Sequence, residues 1–377
     1  MKPNHIVFTT IYEPAVLLDY QKNIARYGHL DSTVFWVVGD RKTPPECRTL
    51  CEEADRAGLE THYLDIEEQD RWGKRFPEFY KRIPYNNETR RNIGYLFALE
   101  TGCERLISID DDNYPTEDDF IGGHERTGVS FNQNVLTSTN NFYNICDHLT
   151  FNTDQRIFPR GYPFELRHDK AETDSKPKGN SGRIGATAGL WLQDPDVDAT
   201  TWINQAPRSI AFTGPDVSLL DKNTWSPINT QNTSVVRELI PAFLCIPMGS
   251  PVPGGRIERY GDIWGGYFLQ AVSTGLPWTV AFGRPLVEHR RNPHNYLNDL
   301  RHEFWGMILT DWLVTFLKTE FKPSSTNIFD RVLELSNFLE ELGNNHMPEW
   351  CPEEVRHFIE STARTQRAWV GVCQQLM

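Results

Sequence analysis

The chain has 377 residues, a formal net charge of -13, and 39% hydrophobic and 24% charged side chains, enough for a sizeable core plus an appendage or small second domain. The acidic balance argues against nucleic acid, whose backbone needs a basic surface. A mean hydropathy of -0.52, with no apolar run of bilayer length, argues against a membrane-spanning segment.

The N-terminal "MKPNHIVFTTIYEP" lacks the pattern of a secretory signal. The seven cysteines, Cys47, Cys51, Cys103, Cys146, Cys245, Cys351 and Cys373, are scattered and complete no zinc pattern. Reduced thiols in a cytoplasmic protein are the expectation, and the sequons at Asn87 and Asn232 are then chance matches.

In chain order, "HIVFTTI" (5–11) reads as a buried strand, followed by a helical pattern to about Tyr27. "STVFWVVGD" is a second apolar run ending at Asp40, "RTLCEEADRAGL" a helix and "ETHYLDI" a third strand. "NNETRRNIGYLFALETG" (86–102) continues as a helix with Gly102 as its stop, and feeds the strand "RLISI". Alternating strands and helices predict an α/β fold with a mainly parallel sheet covered on both faces. From about 120 to 250 the periodicity breaks into short strands and long loops, with a mobile surface loop expected over 168–183. After about 300, three amphipathic segments predict a helical C-terminal region, 301–377, on a catalytic body, 1–300; Ser324 to Thr326 are candidate caps of the second helix and Gly343 its end.

Three carboxylates, Asp110, Asp111 and Asp112, emerge from the end of the apolar strand "RLISI". Packed like charges need a cation or donors nearby, and ligands of open α/β sheets bind at this end of the strands. Asp110 and Asp112 point the same way in an extended segment and suit a hard divalent ion, Mn²⁺ or Mg²⁺, shared with substrate phosphates. The competing reading is a solvated acidic turn. Arg90, Arg91 and Asn92 precede that strand by one helix; the arginines suit diphosphate oxygens or the aspartates themselves, or are exposed helix charges. Asp40 is placed to meet a base or ribose, or to cap its own turn. Aromatic, glycine-rich blocks around Arg160 and Arg167, Trp191, and Trp264 offer stacking faces for sugars or bases. No G-x-G-x-x-G follows the first strand, so neither flavin nor NAD is expected.

Together these blocks resemble the reversibly glycosylated polypeptide family, which includes the plant UDP-arabinopyranose mutases. The resemblance rests on the TI of "HIVFTTI", "RNIGY", "IDDD", "RGYPF" with the following L-R, "GLWL" with "PDVDA", "RYGDIWG", "GLPW", the His of "VEHRRNP" and the FW near residue 305. It implies a GT-A-like fold, a D-x-D metal site, a nucleotide-sugar substrate, and a mutase that switches a sugar ring between pyranose and furanose. It further implies that Arg160 is the reversibly glycosylated arginine and Arg167 its companion. Read from the residues themselves, Asp110 and Asp112 are the candidate metal ligands with His289 as a candidate third, Asp262 is the candidate for moving protons or else a structural carboxylate holding Arg259 or a backbone turn, and Thr9, Thr10, Asp40, Arg91, Asp111, Trp191 and Trp264 are candidate substrate contacts. Asn113 and Tyr12 depart from the plant pattern, where Cys and Arg are usual, and the charged loop after Arg167 is longer; these departures lean away from UDP-arabinose, and the resemblance to bacterial relatives that act on GDP-L-fucose makes that the first expected substrate, with UDP-arabinose next. An inverting glycosyltransferase and a self-glycosylated carrier without turnover are the alternatives, and a homo-oligomer is left open.

Overall fold

The computed structural model describes residues 2–177 and 182–377. Its four N-terminal strands, β1 (Asn4–Thr9), β2 (Thr33–Val38), β3 (Glu60–Leu64) and β4 (Arg105–Ile109), are parallel neighbours in the order β3-β2-β1-β4. Every residue of β2 and all but the last of β1 are buried; runs with no polar alternation belong to strands covered on both faces. Helices α1 (Val16–Arg26), α2 (Glu46–Arg56) and α3 (Arg91–Glu100) supply the cover.

The sheet then turns mixed. A short strand β5 (Asn113–Pro115) follows the carboxylates, and β6 (Gly182–Gln193), β7 (Val217–Leu219), β8 (Asn232–Val236) and β9 (Trp278–His289) extend it in the order β7-β9-β6-β8-β4. β8 lies antiparallel to both β4 and β6, while β6 and β9 run parallel. This is the expected α/β arrangement.

Helix α4 (Gly261–Ser273) is buried at all but one position and crosses close to two backbone segments. A Cβ on Gly265 would sit 2.4 Å from the Leu244 carbonyl oxygen, and one on Gly266 2.4 Å from that of Ile228. Glycine inside a helix costs about 1 kcal/mol relative to alanine, but a methyl forced against backbone costs about 1–3 kcal/mol. Gly266→Ala is therefore expected to lower stability despite its better propensity; an unchanged or raised midpoint in urea unfolding would contradict the close crossing.

The C-terminal region consists of α5 (Tyr296–Thr319), α6 (Ile328–Asn345) and α7 (Glu353–Leu376). One apolar core runs from Phe8 and Phe35 through Trp264 to Leu313, Leu339 and Trp369. Trp264 donates to Thr310 Oγ1 at 2.9 Å and Trp369 to the Pro241 carbonyl at 2.9 Å, fastening these helices to the body.

Local expectations differ in three places. Glu88–Arg90 forms one 3-10 turn before α3, because the Asn87 side chain caps it first. Helix α6 is capped by Asn327, which accepts from Phe329 N and Asp330 N. Ser324 and Ser325, expected as caps, bond Glu334 and Asp330 instead, and the helix passes Gly343 to reach Asn345. Of the loop expected over 168–183, residues 178–181 lie outside the described residues, while Thr173–Lys176 pairs antiparallel with Val135–Ser138.

All seven cysteines are buried free thiols. Among the described residues no helix is long and apolar enough to cross a membrane.

Candidate active site

The carboxyl ends of β1, β2 and β4 carry Thr9 and Thr10, Asp40, and Asp110 to Asp112 to one edge of the sheet. There a cleft of about 380 Å³ opens, whose lining brings together Arg91, Asp110, Asp112 and His289 with Arg160, Asp196 and Asp262.

His289 reaches the acidic tip through strand pairing. The end of β9 runs antiparallel to β5, setting His289 opposite Asn113, and Arg290 N donates to the Asp112 carbonyl at 2.9 Å. His289 Nδ1 lies 2.7 Å from the Asp194 carbonyl oxygen, so that nitrogen carries the proton and Nε2 turns to Asp112 Oδ2 at 3.3 Å. Burial alone would raise Asp112, but the His289 hydrogen bond holds its carboxyl below the ordinary range. Burial alone would lower His289, but Asp112 holds the imidazole above its ordinary value.

Arg91, the first residue of α3, donates from Nη2 to Asp110 Oδ1 at 2.6 Å and from Nη1 to Thr230 Oγ1 at 2.8 Å. Of the roles open to it, holding the aspartates is the one the geometry realises. Burial raises Asp110 above the carboxylate range; Arg91 opposes it and the Asp112 charge reinforces it. Burial also pushes Asp111 up to about 7, against a hydrogen bond from Thr10 Oγ1.

Among the described residues no cluster of three or more His, Cys, Asp or Glu is spaced to cage a metal by itself. Asp110, expected as a ligand, spends Oδ1 on Arg91 and still lines the cleft, where Asp112 and His289 meet at 3.3 Å. That donor set fits a hard divalent ion taking its other ligands from water and phosphate, and a histidine fixed through Nδ1 on a carbonyl is how metal-binding imidazoles are oriented.

In the same cleft, Arg160 is buried and clamped. Its Nε and Nη2 donate to Asp196 at 2.7 and 3.1 Å, Nη1 and Nη2 to Asp262 at 3.1 and 2.9 Å, and Nη1 also to the Arg259 carbonyl. Gly161 beside it has φ +82°, and a Cβ there would lie 2.2 Å from Ile263 Cγ2, so only glycine lets this loop lie against α4. Asp262 sits in the first turn of α4 and bonds Arg160; the alternative that it holds Arg259 is not realised, since Arg259 pairs with Glu303 at 2.8 Å. Among the described residues, Arg259 is one of five non-glycine residues with positive φ, +64°, and that backbone conformation accompanies the carbonyl that meets Arg160.

Other expected contacts sit behind the cleft. Arg167 donates to Asp198 at 2.7 Å and stacks 3.7 Å from the Phe164 ring centroid, bracing the arginine loop from outside. Asp40 accepts from Asn87 N at 3.2 Å and so supports the turn that lines the cleft. Thr9 bonds the Val38 carbonyl. Trp191 and Trp264, read as stacking surfaces, are core side chains: both are buried, and the Trp264 indole N–H is used on Thr310. Arg90 points into the fold, onto Gln69 and Tyr80. Asn113 is sealed under the tip, with neither side-chain polar atom partnered among the described residues, whereas Tyr12 is exposed.

Sequence reasoning missed Asp196. It lies in the alternation Asp194, Asp196, Asp198 of "QDPDVDA", and the three divide their work: the Asp194 carbonyl fixes His289, Asp196 holds Arg160 and Asp198 holds Arg167. The period marked a set of acids but not which one met the cleft. Burial would raise Asp196, yet Arg160 and Asn229 bring it down to about 2. A depressed folded value contributes stability above the unfolded pKa of about 4 that is lost as pH falls through the folded one. The stability gap between the native chain and Asp196→Asn is expected to be wide near neutral pH and to close between about pH 4 and about pH 2; urea unfolding across that range measures it.

The family model described as reversibly glycosylated polypeptide matches residues 63–360. UDP-arabinopyranose mutase 3 of Arabidopsis thaliana and probable UDP-arabinopyranose mutase 1 of Pisum sativum are each 28% identical over 265 residues. Each match spans 69% of this chain and 66% of the relative's length, just under two thirds. Residues 1–349 of S. aureus TarS, solved with UDP-GlcNAc, align at a TM-score of 0.44 and 10% identity, over 100% of this chain and 91% of that one.

Proposed function

The chain belongs to the reversibly glycosylated polypeptide family, and on that footing we propose that it is a divalent-metal-dependent nucleotide-sugar mutase, an isomerase that interconverts pyranose and furanose forms of a nucleoside-diphosphate sugar without flavin or NAD. The observation that carries this reading is the cleft itself: Asp112, His289 and a clamped Arg160 line one cavity of about 380 Å³. The first two suit a diphosphate, the third a sugar ring.

Asp112 and His289 would hold the metal, with Arg91 keeping Asp110 in place beside them. Bound there, a divalent cation supplies charge neutralisation for the departing diphosphate. Arg160 with Asp196 and Asp262 leaves one unit of negative charge uncompensated, which favours positive charge developing at the anomeric carbon. Capture of that carbon by Arg160 Nη2 would form a C–N bond as the C–O bond to phosphate breaks. The proton on Nη2 goes to Asp262 Oδ2, 2.9 Å away. Deprotonating the guanidinium beforehand would cost about 12 kcal/mol, from roughly nine pKa units, so the proton leaves as the new bond forms. Asp262 then serves the ring oxygens during opening and reclosure, and the nucleotide attacks the anomeric carbon to release the arginine.

The relatives are named for UDP-arabinopyranose. The lean away from UDP-arabinose rested on Asn113, Tyr12 and the longer charged loop after Arg167; Asn113 is sealed away from the cleft, and with the relatives so named UDP-arabinopyranose becomes the first substrate to try. Purified protein with Mn²⁺ and each sugar nucleotide, without acceptor, is the test. A furanose isomer with nucleotide still attached supports the mutase. Intact substrate that turns over only when an acceptor is added supports a glycosyltransferase, and a sugar adduct on Arg160 without released product supports a carrier.

A further inference from the structure

A second cleft, of about 590 Å³, opens at the opposite end of α4, where Thr274 and Gly275 meet the last turn of α5 and the segment 321–323. The 13 residues of α4 separate it from Asp262 by ~20 Å at 1.5 Å per residue. Its lining includes Lys222, Lys318, Lys322 and Arg331 and not one carboxylate, in a chain whose acids outnumber its lysines and arginines 51 to 38.

Part of this charge has local work. Arg331 donates to the carbonyls of Val272 and Thr274 at 2.8 and 2.6 Å, and Lys322 to that of Lys318 at 3.0 Å, which satisfies helix C-termini. That work leaves donors over. Arg331 is only 6% exposed, yet its Nη2, on the side facing Gly275 in the cleft wall, makes no hydrogen bond among the described residues. Lys318 spends one proton on the Asn223 carbonyl at 2.9 Å and lies 3.9 Å from the Trp225 ring centroid, half-buried with no carboxylate in salt-bridge reach. Burial pushes its ammonium down to about 7, offset only in part by Asp221, as expected of a cation whose counter-charge is not supplied by the protein.

We propose that this cleft is a second, non-catalytic site for a small phosphate-bearing anion, held by Lys222, Lys318 and the free face of Arg331. Multiple cationic donors with no carboxylate among the residues lining a cavity of this size match a pyrophosphate or phosphate ester, and charge-assisted hydrogen bonds supply the affinity.

Calorimetric titration of the full chain with inorganic pyrophosphate, in the presence of a metal chelator, tests it. The native protein is expected to bind pyrophosphate, and Lys318→Met and Lys222→Gln each to weaken one equivalent by about tenfold or more, the loss of one charge-assisted bond, with circular dichroism unchanged. Lys222 is exposed, so its variant separates binding from folding. Absence of pyrophosphate binding, or binding that both variants retain at native strength because it resides in the Asp112 cleft, overturns the assignment.

Discussion

Arg160→Ala is expected to cut turnover by about a thousandfold or more, because it removes both the group proposed to capture the anomeric carbon and the partner that keeps Asp196 and Asp262 in register. It should also destabilise the fold. Leaving two buried carboxylates without their cation costs about 3–5 kcal/mol, so activity lost by unfolding must be separated from activity lost chemically. Arg160→Lys does this. The ammonium restores a positive charge but cannot span both carboxylates as the planar fork does; stability should recover in part while turnover stays low. Intact-mass measurement adds a third readout, since a single-sugar adduct should form in the native chain and disappear in both variants. An alanine variant isomerising at the native rate would remove Arg160 from the mechanism.

Asp112→Asn is the second large effect. It weakens one of the two converging donors and the acceptor that His289 Nε2 faces, and kcat/KM should fall at least about a hundredfold, the upper end of losses from mere outer-shell partners of a metal. Some stability should be lost at neutral pH as well, because the contact that holds Asp112 below and His289 above its ordinary range is gone. Asp110→Asn removes a different partner. It leaves Arg91 buried with its carboxylate partner gone, so that variant should lose stability as well as activity. The measurements are steady-state rates together with nucleotide binding with and without Mn²⁺. Native isomerisation that persists unchanged in chelator would sink the metal assignment, whatever the variants do.

Both predictions concern groups whose importance was visible in the sequence but whose partners were not. The acidic tip could be read because an apolar strand running into three carboxylates is a local pattern, and Arg160 because it opens a block with specific flanking residues. Asp196 was invisible as a clamp since Asp194 and Asp198 share its neighbourhood and period. Trp191 and Trp264 misled for the converse reason: an aromatic among glycines reads alike whether the glycines admit a ligand or, as beside α4, another stretch of backbone.

The alternation of strands and helices, the C-terminal helices and the position of the carboxylates at a strand end follow from local periodicity, which depends only on neighbours a few residues apart. Which side of each carboxylate faces the cleft, that Asp110 belongs to Arg91 while Asp112 belongs to His289, and that two aspartates close on Arg160 came only with the folded chain. These pairs bridge 19, 177, 36 and 102 residues. Contacts of that span are set by strand register and by how closely backbone approaches backbone, and no local pattern encodes either.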